Sequence, residues 1–216
     1  QAFEQNGWDL NGSRVSIQGF GKVGGPLAYL LHSAGMRVVA IADVTGAVTN
    51  PGGLDIPALG EHVKESGGVI GFDGGETISA SEFWQVSCDV VVPAALALAV
   101  DENIAEKLDC KIVVEAANGP TSEAADAVFM DRGISVVPDI LANAGGVTAS
   151  YFEWVQNRQG YAWSAGQVAT GLHDQMIKAY SAVHDKADIL NVSMRRAAMA
   201  VALEMLQDSI TARGIY

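Results

Sequence analysis

The sequence predicts an α/β protein with a doubly wound, mostly parallel sheet and C-terminal helices. Short runs of Val, Ile and Ala alternate with helical stretches, and these runs stop near residue 143. Because they are almost continuously apolar, we expect strands that are buried on both faces. The predicted strands are residues 14–18, 38–42, 89–92, 111–115 and 134–137.

Helices are predicted from apolar stripes at helical spacing. The first stripe comprises Val23, Leu27, Leu30, Leu31 and Ala34. Gly35 follows it and is predicted to be the C-cap residue of this helix. A long later helix is marked by Val168, Leu172, Met176, Tyr180 and Val183. Another is marked by Val201, Met205 and Ile210, with Ser193 as its N-cap. Residues 48–55 suggest a turn-rich loop before a helix, and the glycine-rich stretch 67–79 predicts no definite element.

Composition narrows the function classes. Hydrophobic residues make up 49% of 216 residues, and the formal net charge is −12, which disfavours a nucleic-acid partner. Apolar runs fall short of the roughly 20 residues that span a bilayer, so no membrane association is expected. Cys88 and Cys110 suggest free structural thiols in a reducing cytosol, and hence a cytoplasmic protein. The four histidines lack metal-ligand spacing, so no metal is expected. The chain has no initiator Met, and we expect it to belong to a longer product.

A glycine motif gives the first indication of chemistry. Directly after the first predicted strand stand Gly19, Phe20, Gly21, Lys22, Val23 and Gly24. In this strand–turn–helix context the first glycine permits a tight turn, the second lets a pyrophosphate approach the backbone, and the third lets helix pack on strand. The alternative is a simple turn. The motif predicts a dinucleotide site in which free N–H groups and the helix dipole meet the phosphates.

An acidic residue at the end of the second predicted strand bears on cofactor choice. Asp43 stands where a carboxylate can accept hydrogen bonds from both ribose hydroxyls of the adenosine and repel a 2′-phosphate. This position predicts NAD in preference to NADP. The alternative is that Asp43 merely starts the turn formed by residues 43–46.

Three later loops also leave the carboxyl ends of predicted strands, where ligands of open parallel sheets bind. The loop at 93–95 offers the small residues Ala94 and Ala95, which leave room for a cofactor. The loops at 116–120 and 138–147 carry Asn118 and Asn143, whose amides could each bond a carboxamide. Their alternative role is that of loop or helix-capping asparagines.

The chain resembles the glutamate/leucine/phenylalanine/valine dehydrogenase family, and glutamate dehydrogenases in particular at residues 150–157. The matching stretches are QGFGKVG (18–24), VPAA (92–95), EAANGPT (115–121), PDILANAGGV (138–147), SYFEWVQN (150–157) and ARGIY (212–216). They follow the family's order along nearly the whole chain. Lys22 is a departure, because the family most often has Asn there. Lys22 could contact the pyrophosphate or be solvated.

The resemblance implies reversible oxidative deamination of L-glutamate to 2-oxoglutarate and ammonia, with hydride transfer between the substrate and the nicotinamide. It assigns the glycine motif and Asp43 to the dinucleotide, and Ala94, Asn118 and Asn143 to its nicotinamide side. It places Val147 and Ser150 against the substrate side chain. Ser150 would otherwise be a helix hydroxyl bonded to its own backbone.

The resemblance also implies that the catalytic lysine and aspartate come from an N-terminal substrate domain, so no catalytic residue is assigned in this chain. We expect residues 1–160 to form the dinucleotide-binding domain and helices in 161–216 to pack back on that substrate domain, in a homo-oligomer that the family makes a hexamer. The alternatives are a dehydrogenase of another amino acid, such as Leu, Phe or Val, and a non-catalytic dinucleotide-binding module.

Overall fold

A seven-stranded sheet lies at the centre of residues 2–139 in the computed structural model, which describes residues 1–214. In chain order the strands are β1 (Arg14–Gln18), β2 (Arg37–Asp43), β3 (Gly46–Thr49), β4 (Glu76–Ile78), β5 (Val90–Pro93), β6 (Ile112–Val114) and β7 (Ser135–Val137). Across the sheet the order is β4-β3-β2-β1-β5-β6-β7. Five neighbouring strands of this order pair in parallel, namely β2, β1, β5, β6 and β7, which confirms the predicted doubly wound sheet.

The same unit contains six helices. They are α1 (Ala2–Gln5), α2 (Gly24–Ser33), α3 (Ile56–Ser66), α4 (Ala80–Phe83), α5 (Glu102–Lys107) and α6 (Glu123–Asp131). Of these, α2 and α3 correspond to predicted helices. Helix α2 lies on the first predicted stripe, and Gly35 beyond its end has a φ of +87°. Helix α3 begins where the Asp55 side chain accepts the Ala58 N–H and ends at Gly67. Side-chain caps and left-handed glycines therefore set these helix ends.

Strands β3 and β4 were not predicted. Residues 48–55 were predicted to form a loop, but the first two of them, Val48 and Thr49, belong to β3. Both pair antiparallel, β3 with β2 and β4 with β3, and extend the sheet at one edge. Ala47 and Val48 are fully buried there. Strands of three or four residues carry too few side chains for alternation to stand out, so neighbouring strands rather than local pattern define them.

Helices cover both faces of the sheet. One core cluster joins side chains of β2, β5 and β6 to helices α4, α5 and α6, with Phe83 and Phe129 among its largest members. Helix α2 lies against the face that carries Ile17, whose methyl carbon approaches Gly24. Since neighbouring residues of a strand point to opposite faces, β1 contributes Ser16 and Ile17 to different layers. The layers leave the strand ends exposed for a site.

A helical unit makes up the rest of the chain from residue 140, together with Gln1. Its main helices are α8 (Ala144–Gln159), α9 (Ala165–Leu190) and α10 (Met194–Ala212), preceded by α7 (Asp139–Ala142). Both predicted C-terminal helices are confirmed, and Ser193 caps α10 by accepting the Arg196 N–H. Ile215 and Tyr216 of the C-terminal motif lie outside the described residues.

By its internal contacts the chain divides between Asp139 and Ile140, since α8 packs with α9. The functional domain boundary at residue 160 stays a prediction. Phe152 of α8 is buried, its ring centroid lies 5.4 Å from that of Trp163, and it approaches Gly171 of α9. The sequence pattern marks where β-runs stop but not which partner α8 packs against.

Both cysteines are free, as the sequence analysis expected. Burial raises the pKa of the Cys88 thiol and raises that of Cys110 to about 12. Thiols with raised pKa values hold little reactive thiolate at neutral pH, which suits a packing role. Among the described helices, none has the length and apolar character that crossing a membrane requires.

Asp89 ties together the amino ends of three central strands. Its Oδ2 accepts the Arg14 N–H at 2.8 Å, and the Lys111 Nζ lies 3.0 Å from its Oδ1. Partial burial raises the pKa of the Asp89 carboxyl, but the Arg14 N–H and the Lys111 ammonium outweigh it, so the pKa lies below its usual value of 3.8. The charged carboxylate is therefore the form that stabilises the fold.

We predict that Asp89→Asn lowers the free energy of unfolding near pH 7 by roughly 1–2 kcal/mol, because it weakens hydrogen bonds to a charged acceptor. A carboxyl with a depressed pKa stabilises the fold above its unfolded pKa, and that stabilisation disappears as the pH falls through its folded pKa. Denaturant unfolding from pH 7 to pH 3 should therefore show the two proteins converging. The exposed pair formed by Lys64 and Glu61 provides a control, since Glu61→Gln should change stability little. A difference independent of pH would contradict the assignment.

Candidate functional site

A cavity of about 570 Å³ opens where the carboxyl ends of β1, β2 and β5 meet. Strands β1 and β5 are adjacent in the sheet although three strands separate them along the chain, so the strand order reverses at this point. Open α/β sheets bind ligands at such a switch point, and the volume is within the range of small-molecule sites. The cavity is lined by Gln18, Gly19, Phe20, Gly21, Lys22, Val23, Ala42, Asp43, Val44, Val63, Gly67, Ala80, Phe83, Trp84, Ala94, Ala95 and Leu96.

The glycine loop has the geometry that its sequence predicts. Gly19 has a φ of +105°, and a Cβ there would lie 3.0 Å from the Ala94 carbonyl oxygen. A Cβ on Gly24 would lie 1.8 Å from the Gly19 carbonyl oxygen and 3.4 Å from Ile17. A Cβ on Gly21 would meet nothing within 4 Å. The first and third glycines are thus required by packing, whereas the second leaves the loop backbone open to a ligand.

The amino end of helix α2 faces this loop with its first backbone donors. Val23 occupies the N-cap position and supplies no side-chain capping hydrogen bond. N–H groups in the first turn of a helix lack partners within the helix, and the helix dipole adds positive potential there. Lys22 is exposed on the cavity wall. This arrangement suits an anionic group such as a pyrophosphate.

Asp43 borders the cavity and also organises its own loop. Its Oδ1 accepts the Thr45 N–H at 2.8 Å and the Thr45 hydroxyl at 2.5 Å, and its Oδ2 accepts the Val69 N–H at 3.0 Å. The turn that the alternative interpretation expected is therefore present. A carboxylate offers about four lone-pair sites, so three donors leave capacity for a ligand hydroxyl. The turn and a ligand-binding role are compatible.

Another part of the cavity wall was not predicted from the sequence. It includes Ala80, Phe83 and Trp84, and the last two rings meet edge to face with centroids 4.9 Å apart. Helix α4 begins with a capping box in which Ser79 accepts the Glu82 N–H and Glu82 accepts the Ser79 N–H. The Ser-x-x-Glu spacing is visible in the sequence and could have located this helix.

One polar atom on the cavity wall has its hydrogen-bonding capacity unfilled. Gln18 ends β1, and its amide oxygen is buried without a hydrogen-bond partner among residues 1–214. Buried polar atoms in folded proteins are nearly always paired, so an unpaired one beside a cavity is compatible with a bound polar ligand or water. Together with the open approach at Gly21, this atom makes the residues present fit a dinucleotide.

The loop after β6 carries Asn118 and is held by backbone and carboxylate acceptors. Ala117 N–H donates to the Pro93 carbonyl at 2.9 Å, and Gly119 N–H donates to Asp139 Oδ2 at 2.8 Å. Glu115, fully buried at the start of the loop, accepts the Asp139 N–H at 2.9 Å. No role was predicted for either acidic residue. A charged residue at the end of an apolar strand was the available signal.

The other predicted residues lie in the helical unit. Asn143 is the N-cap residue of α8 but supplies no side-chain capping bond to it. Val147 and Ser150 follow on the same helix and are both exposed, Val147 at 77%. Thr148 bonds back to the Ala144 carbonyl, whereas in the described part of the chain Ser150 shows no such bond. The back-bonded alternative for Ser150 is therefore not favoured.

The contrast between two glycines gives a prediction that needs no ligand. Gly24→Ala should lower the free energy of unfolding by roughly 1–3 kcal/mol, because the added carbon forces the backbone of the loop to shift. Gly21→Ala, with open space around its Cβ, should change stability far less. Denaturant unfolding of the two variants measures the difference. Equal losses would mean that the tight contact between Gly24 and Gly19 does not constrain the loop.

Comparison with known proteins agrees with this geometry. The family model described as Glutamate/Leucine/Phenylalanine/Valine dehydrogenase matches residues 1–214. The cryptic catabolic NAD-specific glutamate dehydrogenase of Bacillus subtilis is 41% identical over 99% of this chain and 50% of its own length. The NAD-specific glutamate dehydrogenase of Clostridioides difficile is 40% identical over 100% of this chain and 52% of its own.

Solved structures of similar proteins share the fold. A hetero-hexameric glutamate dehydrogenase from Thermus thermophilus in a Leu-bound form superposes with a TM-score of 0.92 at 33% identity, covering 100% of this chain and 51% of that one. A glutamate dehydrogenase from Peptoniphilus asaccharolyticus gives 0.85 at 32% identity, covering 100% and 50%. The chain spans about half the length of the curated relatives it matches. By its match to the family model along nearly its whole length, the chain belongs to the glutamate/leucine/phenylalanine/valine dehydrogenase family.

Proposed function

We propose that this chain is the cofactor-binding half of an NAD-dependent glutamate dehydrogenase, which interconverts L-glutamate with 2-oxoglutarate and ammonia. The observation that carries the dinucleotide assignment is the glycine cradle, closed by packing at Gly19 and Gly24 and open at Gly21. The choice of glutamate rests on relatives at 40% and 41% identity that are named glutamate dehydrogenases. The distinctive stretch at residues 150–157 points the same way.

In this proposal the chain's own residues bind and orient the dinucleotide. The loop at 19–24 and the amino end of α2 receive the pyrophosphate, and Asp43 accepts from the adenosine ribose. Ala94 and Ala95 leave space beside β5, and the Asn118 and Asn143 amides bond the carboxamide. The bound cofactor supplies the hydride-transfer chemistry. Val147 and Ser150, one helical turn apart on α8, contribute to substrate recognition.

The residues for proton transfer are proposed to come from the part of the enzyme outside this chain. Deamination needs a lysine of lowered pKa and a carboxylate, and the family supplies both from a substrate domain. The proposal has helices within 161–216 pack back on that domain. Exposed apolar side chains of α10 support this, with Leu203, Met205 and Leu206 each at least 60% exposed.

The assembled enzyme is proposed to be a cytoplasmic homo-oligomer. Family resemblance suggests a hexamer, and the similar Thermus thermophilus glutamate dehydrogenase is described as hetero-hexameric. The two free thiols are in keeping with a reducing compartment. A protein that binds dinucleotide without turnover, or acts on another amino acid, is distinguished by the experiments that follow.

Cofactor choice provides the first test. The protein should bind NADH more tightly than NADPH, because the Asp43 charge opposes a 2′-phosphate by on the order of 1 kcal/mol. Asp43→Asn removes the charge and leaves one acceptor oxygen for the loop, so it should reduce the preference several-fold and also lose the bond to either Thr45 or Val69. Asp43→Ser should reduce it too, with added loss of loop order. Fluorescence titration with both cofactors measures each ratio.

Two results of that titration would count against the proposal. Equal affinities of the wild-type protein for NADH and NADPH would remove Asp43 as the discriminating group. Binding of neither cofactor would remove the dinucleotide function altogether. Thr45→Ser provides a matched control at the same turn, because it retains the hydroxyl that donates to Asp43. Its cofactor ratio should equal that of the wild-type protein.

Substrate choice provides the second test, made in the full-length enzyme. A serine hydroxyl can donate one hydrogen bond to the distal carboxylate of glutamate, and bonds to charged groups contribute roughly 1.5–3 kcal/mol. Ser150→Ala should therefore lower kcat/KM for glutamate roughly tenfold or more. Activity on norvaline, which lacks the distal carboxylate, should change much less. Steady-state kinetics with both substrates measures the contrast.

The kinetic pattern separates the remaining possibilities. Equal losses with both substrates would mean that Ser150 acts through helix structure or cofactor position. No change with either would place glutamate recognition outside this chain and favour a dehydrogenase of another amino acid. Ser150→Thr keeps a hydroxyl at the same position and should retain more glutamate activity than Ser150→Ala.

A further inference from the structure

The loop that carries Asn118 is fastened on both sides of that residue. On one side, Ala116 and Ala117 N–H groups donate to the Pro93 carbonyl at 3.1 and 2.9 Å. On the other, Gly119 N–H donates to Asp139 Oδ2 at 2.8 Å. The Gly119 carbonyl also accepts the Leu98 N–H at 2.8 Å. Asn118 itself is exposed between these fixed points.

The backbone of Asp139, whose side chain accepts the Gly119 N–H, is in turn held by a second acid. The Asp139 N–H donates to Glu115 Oε2 at 2.9 Å, and the Glu115 N–H donates to the Val137 carbonyl at 3.1 Å. These bonds join the carboxyl ends of β6 and β7 to each other. They also connect both ends to the loop that leads from β6 to α6. The chain of contacts runs from Glu115 to Asp139 and on to Gly119, so a displacement at either acid moves the loop beside Asn118.

The burial of Glu115 suggests that this arrangement serves more than stability. Its relative exposure is 0%, and a polar side chain removed from water is stable only when hydrogen-bond partners replace its hydration. Apolar side chains of similar volume usually stabilise an interior at least as well as a buried polar group does. Carboxylates instead fix backbone N–H groups in one direction, which is what a precisely placed amide requires.

We propose that Asp139 and Glu115 are positioning residues that hold Asn118 in place for the nicotinamide end of the cofactor, an inference that rests on the proposed function. Asp139 acts through the Gly119 N–H, and Glu115 acts through the Asp139 N–H. Their effect is on the geometry of the loop at residues 116–120, so it is confined to one end of the dinucleotide. The adenosine end, at Asp43 and the glycine loop, is held by other contacts.

The test compares two ligands in three full-length variants. NADH carries the nicotinamide end, whereas ADP presents the adenosine diphosphate part alone. Asp139→Ala removes the acceptor for Gly119 and should weaken NADH binding roughly tenfold, while ADP binding stays within about twofold. Asp139→Asn keeps an acceptor oxygen at the same reach and should restore most of the NADH affinity. Glu115→Gln leaves one acceptor oxygen and should give the same selective loss, to a smaller extent.

Hydrogen exchange at the Gly119 amide gives a readout that does not depend on any cofactor. Exchange should accelerate in Asp139→Ala and stay near the wild-type rate in Asp139→Asn. Unchanged exchange in Asp139→Ala would overturn the positioning inference even if the proposed function held. Parallel losses of NADH and ADP would also overturn it, since they indicate general damage to the fold. A wild-type protein that bound neither ligand would instead overturn the proposed function and, with it, the role assigned to the loop.

Discussion

The close contact between Gly24 and the Gly19 carbonyl is the constraint on which the cavity depends. It lets α2, which begins at the end of the glycine loop after β1, lie against Ile17, so that the amino end of the helix and the carboxyl ends of β1, β2 and β5 meet around one space. Any side chain at residue 24 would separate strand from helix. The parallel order of the sheet then determines which loops reach that space.

Carboxylates that accept backbone N–H groups recur at the ends of the strands. Asp89 receives Arg14 at the amino ends, whereas Asp43 and Asp139 receive Val69 and Gly119 at the carboxyl ends. Each bond connects segments that are distant in sequence but neighbours across the sheet. Some of the acidic residues in this chain of net charge −12 thus connect distant backbone segments, and the backbone donors stabilise their charge.

The sequence was sufficient for features that repeat locally. Continuous apolar runs identified all five parallel strands, and Gly19, Gly21 and Gly24 identified the turn because each glycine has its own spacing requirement. Strands β3 and β4 were not predicted, since three or four residues carry little periodicity. Ala47 and Val48 are buried only through neighbouring parts of the fold. The hydrogen bond between Glu115 and Asp139 was not predicted either, because a bond between the ends of two strands leaves no local pattern in the sequence.

The role of Asp43 could not be decided from the sequence alone. Sequence spacing allowed either a turn or a ribose contact, and the turn is present with donors from Thr45 and Val69. The remaining lone pairs keep the second role available, so the two interpretations are not exclusive. Position along the chain identified the residue, while only the folded arrangement reveals that its carboxylate also anchors the segment after α3.

The two free thiols have a practical consequence for spectroscopy. With the pKa of Cys110 raised to about 12 and that of Cys88 also raised, neither sulfur competes well for alkylating dyes at neutral pH. Val44 is fully exposed at the rim of the cavity. Val44→Cys would therefore accept a single fluorophore without prior removal of the native cysteines, which makes ligand arrival observable by emission from one known position.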